Sequence, residues 1–158
     1  MFAVQFIDHL HQKMTSLRKF LTQKKYIRIP LTETGTGHME LSAKINEVEG
    51  RFILDTGASS SCIGFDGVEK FKLFAEESKI KAAGAGAIDM LTQISQNNRV
   101  EIGGWTKKNV EIVLFDLSHV NTALENHNAE PVNGIIGADI FKHGKAIIDY
   151  KYKCLYLR

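Results

Sequence analysis

Proline is nearly missing from this chain, with two residues in 158 against 13 glycines. That excludes a proline-rich linker and suits a compact domain with many tight turns. Cysteine is as scarce. Cys62 and Cys154 are the only two, and they belong to no Cys-x-x-Cys pair or Cys/His cluster, so spacing argues against a structural zinc site and for a reducing compartment. An excess of charge of one sign is also lacking. Twenty Lys and Arg face 18 Asp and Glu, a net charge of +2, too small to argue for nucleic acid as a partner. Long apolar runs are absent as well. Near the N-terminus the apolar residues are interrupted by Asp8, His9, His11, Gln12 and Lys13, which fits neither a signal-peptide core nor a membrane-spanning helix. A cytoplasmic protein is expected.

Several chemistries fall away on spacing. Gly84-Ala85-Gly86 lacks the third glycine of a dinucleotide fingerprint, and there is no Gly-Lys-Ser/Thr phosphate loop. Ser59, Ser60 and Ser61 follow an apolar run but do not form the Gly-x-Ser-x-Gly elbow of a serine hydrolase. His119, His127 and His143 match no metal-ligand spacing and read as ordinary surface or core histidines.

What is present is 44% hydrophobic residues and 24% charged ones, the balance of one globular domain with a sizeable core. Ala3, Ile7, Leu10, Met14, Leu17 and Leu21 recur at spacings of four and three, one face of an amphipathic helix over residues 1–25. Its cations gather at Arg18, Lys19, Lys24 and Lys25, where the dipole of the helix C-terminus favours them. This helix is expected to pack on its own domain or a partner chain, with a basic membrane-surface helix as the alternative.

From Tyr26 the period becomes strand-like. Residues 39–55 read as a hairpin, "SKIKAAGAGAIDMLTQI" as a second hairpin with Gly84 and Gly86 at its tip, and "RVEIGGWTKKNVEIVLF" as a third turning at Gly103-Gly104. Ser118 is placed to cap a short helix, a second short helix follows Gly137, and "KAIIDYKYKCLYLR" closes the chain as a strand pair. The layout is all-β with short helices, a domain over 26–158 behind the N-terminal extension.

The stretch Phe52-Ile53-Leu54-Asp55-Thr56-Gly57-Ala58 carries the chemistry. A carboxylate ending a buried strand costs several kcal/mol unless something compensates it. Together with a glycine-tipped hairpin about thirty residues on, and with Ile135-Ile136-Gly137-Ala138-Asp139 leading into a short helix, this stretch resembles the retroviral-type aspartic proteases, the retropepsins, over roughly residues 26–158. The resemblance implies an all-β acid-protease fold that is one half of a symmetric homodimer, because the chain holds a single Asp-Thr-Gly. It implies an aspartic endopeptidase in which Asp55 of each subunit holds a shared water, one carboxylate as base and the other as acid. Thr56, Gly57 and Ala58 would support the site: Thr56 as a buried hydroxyl bracing the pair, Gly57 by letting two backbones approach. Ala83, Gly84, Ala85 and Gly86 would form a flap over a peptide substrate. Ile136, Gly137 and Asp139 would be structural residues behind the site. No metal or cofactor is implied. The viral members often pair an Asp with an Arg where this chain has Ser59 and Ala138, so both partners of that pair are absent together and neither charge is left stranded. Two other readings stand beside this one: a non-catalytic peptide-binding or dimerisation module on the same fold, and a zymogen blocked by its N-terminal helix.

Overall fold

The structure, a computed structural model, describes residues 16–77, 82–84, 87–90 and 92–158. Among them are thirteen strands and four short helices. In chain order these are α1 (Leu17–Gln23), β1 (Ile27–Pro30), β2 (Thr32–Glu33), β3 (Met39–Ile45), β4 (Val48–Leu54), β5 (Cys62–Gly64), α2 (Gly67–Lys70), β6 (Glu76–Glu77) and β7 (Ala82–Gly84). Then follow β8 (Ala87–Met90), β9 (Gln93–Ile102), β10 (Trp105–Phe115), α3 (Ser118–Glu125), β11 (Gly134–Ile136), α4 (Ala138–His143), β12 (Ile147–Asp149) and β13 (Cys154–Leu157).

Six of the strands close into a barrel in the order β3-β4-β11-β5-β10-β9, with β9 pairing back onto β3 through Ile45 and Val100. The expected hairpins form. β3 and β4 are joined by Asn46-Glu47, both at positive φ (47° and 73°), the geometry of a two-residue hairpin turn. Asn46 suits the left-handed position, and its amide also fastens the barrel seam: Oδ1 accepts from Arg99 N at 2.9 Å, and Nδ2 donates to Asn98 Oδ1 at 2.8 Å. β9 and β10 turn at Gly103-Gly104, again both at positive φ.

The barrel interior is filled by Phe52, Phe71, Ile63, Ile102, Ile112, Leu114 and their neighbours, each worth about 1.5–3 kcal/mol when fully buried. The C-terminal end of β4, Phe52 to Leu54, is buried on both faces. Phe52 and Leu54 point into the barrel core, while Ile53 packs outward under Leu124 of α3 and Val132. This explains the unbroken apolar run before Asp55, since a strand covered on both sides does not alternate.

A second sheet, β1-β13-β12, lies against the barrel. Leu155 and Leu157 of β13 join the barrel core, and Cys154 and Tyr156 face the other way onto Leu21 of α1. α1 is thus packed on its own domain through Leu21. Its N-cap is Ser16, whose extended backbone (ψ 148°) and hydroxyl, accepting from Lys19 N at 3.3 Å, begin the helix there. The helix expected over residues 1–25 is seen here only as α1, and residues 1–15 lie outside those described. Arg18 and Lys19 sit in the first turn of α1 rather than near its C-terminus. Ser118 does not cap its helix: it is the first helical residue, the N-cap is Leu117 with no side-chain cap, and Asp116 Oδ1, one residue before that cap, accepts from Ser118 N at 2.8 Å. The two bonds from Ser118 hold the Asp116 carboxyl below its ordinary value. Among the described residues no helix is long and apolar enough to cross a membrane.

Candidate active site

The three-residue strand β11 builds the site. It lies between β4, to which it runs parallel (Phe52 beside Gly134, Ile53 beside Ile135, Leu54 beside Ile136), and β5, to which it runs antiparallel. The chain leaves β4 at Leu54, loops over the end of β11, and enters β5 at Cys62. Asp55 is the first residue of that loop, and its N–H donates to Ile136 O at 3.1 Å. Gly134 makes the close packing feasible, because an added Cβ would lie 2.1 Å from Cys62 O.

Within the loop, Gly57 N donates to Asp55 Oδ1 at 2.8 Å, a local turn that fixes the carboxylate. An added Cβ on Gly57 would come within 3.2 Å of that same oxygen. Leu54 is buried, Asp55 is half-buried, and Thr56 and Gly57 are exposed. The cost of a charge at the end of a buried strand is thus met by solvent on one side and a backbone N–H on the other.

The two sequence motifs meet here. Ala138 N donates to Ala58 O at 2.8 Å, and Gly137 passes so near that an added Cβ would lie 2.8 Å from Ser60 C and O and 2.9 Å from Ala58 O. Ser61, which sequence reasoning passed over, locks the junction. Its buried Oγ accepts from Gly137 N at 3.0 Å and donates to Asp139 Oδ1 at 2.8 Å. Asp139 in α4 is therefore turned toward the floor of the loop. Cys62 lies in that floor, and its thiol is pushed up to about 12, by burial first and then by the negative charges of Asp139 and Asp55.

Of the expected flap, Ala83 and Gly84 belong to β7, which pairs with β8 as a hairpin (Ala82 beside Met90, Gly84 beside Ala87). Ala85 and Gly86 lie outside the described residues. His119, His127 and His143 are exposed, and His143 Nδ1 lies 2.8 Å from Asp139 O. Among the described residues no three His, Cys, Asp or Glu side chains are grouped to hold a metal ion.

A family profile described as aspartyl protease matches residues 41–140. Of the solved structures, a retropepsin-like aspartic protease from Rickettsia conorii is similar over 84% of this chain and 89% of its own, at 19% identity and a TM-score of 0.56. EIAV protease, solved with the inhibitor HBY-793, is 20% identical over 72% of this chain and 86% of its own, with a TM-score of 0.49. The retroviral protease-like domain of Ddi1 from Leishmania major is 17% identical over 76% and 87%, with a TM-score of 0.48. No curated protein matches the sequence significantly. The expected fold is the one observed: a mostly β, retropepsin-like chain with a closed barrel and few short helices.

Proposed function

This chain belongs to the aspartyl protease family, and from that premise we propose that it is an endopeptidase in which Asp55 from each of two identical chains forms the catalytic pair. The observation that carries the reading is the Asp55-Thr56-Gly57 turn, anchored by Ile136 and Ala138 and presenting one carboxylate at an exposed tip. One carboxylate cannot serve as base and acid at once, and the sequence has no second Asp-Thr-Gly or Asp-Ser-Gly. A twofold axis beside the tip supplies the other.

Two ionised carboxylates about 3 Å apart repel by roughly 5 kcal/mol at an effective dielectric near 20, so the pair holds one proton over a wide pH range. The ionised member takes a proton from the shared water. The protonated member donates to the carbonyl oxygen of the scissile bond as the water oxygen adds to the carbonyl carbon; the diol then collapses, the first carboxyl giving its proton to the amine as the C–N bond breaks and the second taking a proton from a diol hydroxyl. Thr56 and Gly57, exposed in the single chain, are the residues the partner would cover. The substrate is an extended peptide, held by backbone hydrogen bonds beneath the β7–β8 hairpin. Ala83, Gly84, Ala85 and Gly86 are the flap in this reading, and Ile136, Gly137 and Asp139 support the site from behind. Residues 26–158 form the protease domain. Packing of Leu21 against Cys154 and Tyr156 supports a bracing role for α1 rather than a blocking one. Cys62 and Cys154 are both free and buried, which supports a reducing, cytoplasmic setting.

Subunit mixing tests the proposal. Asp55→Asn keeps the size of the side chain and removes one ionisable group per subunit. Titrating mutant chains into wild type should suppress cleavage of a fluorogenic peptide as mixed dimers form, and specific activity should fall on dilution. Activity that tracks only the number of wild-type chains, unaltered by dilution, would make the single chain the working unit. Absence of peptidase activity in a folded wild-type dimer would favour the non-catalytic module.

A further inference from the structure

The small net charge hides a strong separation of charge. Residues 16–30 and 142–158 together hold ten Lys and Arg and one acidic residue, Asp149, a net charge of +9. The rest of the chain holds ten Lys and Arg against 17 Asp and Glu, a net charge of −7. Those two stretches are the layer formed by α1, β1, β12 and β13 with the end of α4. All ten cations are exposed, and among the described residues only Lys153 pairs with a carboxylate, Glu33, at 2.6 Å.

The fold gathers these charges. Leu21 sets α1 on Cys154 and Tyr156 of β13, which brings its basic residues over the sheet. The Arg158 guanidinium lies over the Tyr26 ring at 5.3 Å, and Arg158 N donates to Gly144 O at 2.8 Å, which ties the chain end to the segment between Lys142 and Lys145. Apolar groups stand among the cations. Leu17 and Phe20 of α1 are 45% and 47% exposed, while Leu21 of the same helix is buried. Tyr150 and Tyr152 in the β12–β13 turn are 66% and 63% exposed.

We propose that this layer is a peripheral membrane face that docks on a bilayer rich in anionic lipid headgroups. The chemistry matches on both counts: lysine and arginine stems reach headgroup phosphates and carboxylates, while Leu17, Phe20 and the two tyrosines enter the headgroup region. Two copies of this face stacked on one another are disfavoured, since that would set +9 against +9, while the edges of the sheet stay open to a dimer contact. Nucleic acid satisfies the charge but gives Leu17 nothing to contact. The face is independent of the proposed catalytic pair and needs no activity to be tested.

The experiment is flotation of the full chain with vesicles of phosphatidylcholine alone, or with about one third phosphatidylserine, at low and high salt. Binding should require phosphatidylserine and fall steeply with salt. Each cation removed from a membrane face weakens partition about fivefold, so Lys24→Gln with Lys25→Gln should weaken it about 25-fold. Phe20→Ser should weaken binding at both salt concentrations. Lys107→Gln with Lys108→Gln, a control pair on β10, should leave binding unchanged. Equal losses from the control pair, equal binding to both vesicles, no binding at all, or displacement from the vesicles by a single-stranded oligonucleotide that binds more tightly would each overturn the proposal.

Discussion

Ser61→Ala removes one oxygen from the junction between the two motifs. Ser61 is 3% exposed, and its hydroxyl stands between Gly137 N (3.0 Å) and Asp139 Oδ1 (2.8 Å). Without it the Gly137 N–H is buried with no acceptor, a cost of about 1–3 kcal/mol, and the Asp139 carboxyl loses a donor worth about as much. Partial entry of water offsets some of this, leaving a loss of about 3 kcal/mol. For a chain of this size that lowers the melting temperature by about 6–12 °C. Activity should fall as well. Gly137 and Ala138 hold the loop that carries Asp55, and a displacement near 1 Å at a reacting group costs up to about a hundredfold in rate. Ser61→Thr keeps the hydroxyl and should recover most of both losses. Calorimetry and peptide cleavage on the three proteins give the answer. A melting temperature for Ser61→Ala within a degree or two of wild type, with unchanged cleavage, would show that the hydroxyl holds nothing together.

Gly134→Ala should be more damaging, because the new Cβ would meet Cys62 O, a backbone atom, at 2.1 Å. A loss above about 3 kcal/mol in urea unfolding is expected, and a change under about 0.5 would contradict the packing of β11. Cys62, with its thiol raised to about 12 from 9.0, should resist alkylation at pH 8 by about a thousandfold relative to the unfolded chain. A neutral thiol favoured by folding contributes fully below the unfolded value. Its contribution is lost as pH rises from about 9 toward 12, at up to about 1.4 kcal/mol per pH unit. Rapid labelling of Cys62 in the native protein, followed by mass spectrometry, would refute its burial.

Much of this was readable from residue order, and the reasons differ by element. The hairpins show because alternation and the Gly103-Gly104 turn are local signals. Asp55-Thr56-Gly57 shows because a carboxylate is so out of place after Phe52-Ile53-Leu54. Ser61 did not show, since nothing in a run of three serines says which is buried; that depends on β4 looping over β11, a contact made some eighty residues away. The apolar spacing that runs past Ser16 hid the start of α1, and a hydroxyl at Ser118 drew attention from the better acceptor at Asp116. Charge separation was invisible in a net value of +2, because the segments that gather the cations come from opposite ends of the chain.

The order of the strands also sets a schedule. β4 and β5 are made close together, but the strand that joins them, β11, comes only at residues 134–136. Until that segment has emerged from the ribosome, Asp55 N has no Ile136 O and Ala58 O has no Ala138 N. The site therefore depends on contacts of long sequence separation, which form late and slowly in folding. A nascent chain lacking its last quarter carries the Asp-Thr-Gly residues without the geometry that orients them. Such a fragment also exposes the unpaired edges of β4 and β5, which makes an interrupted chain prone to aggregation before it could ever cut.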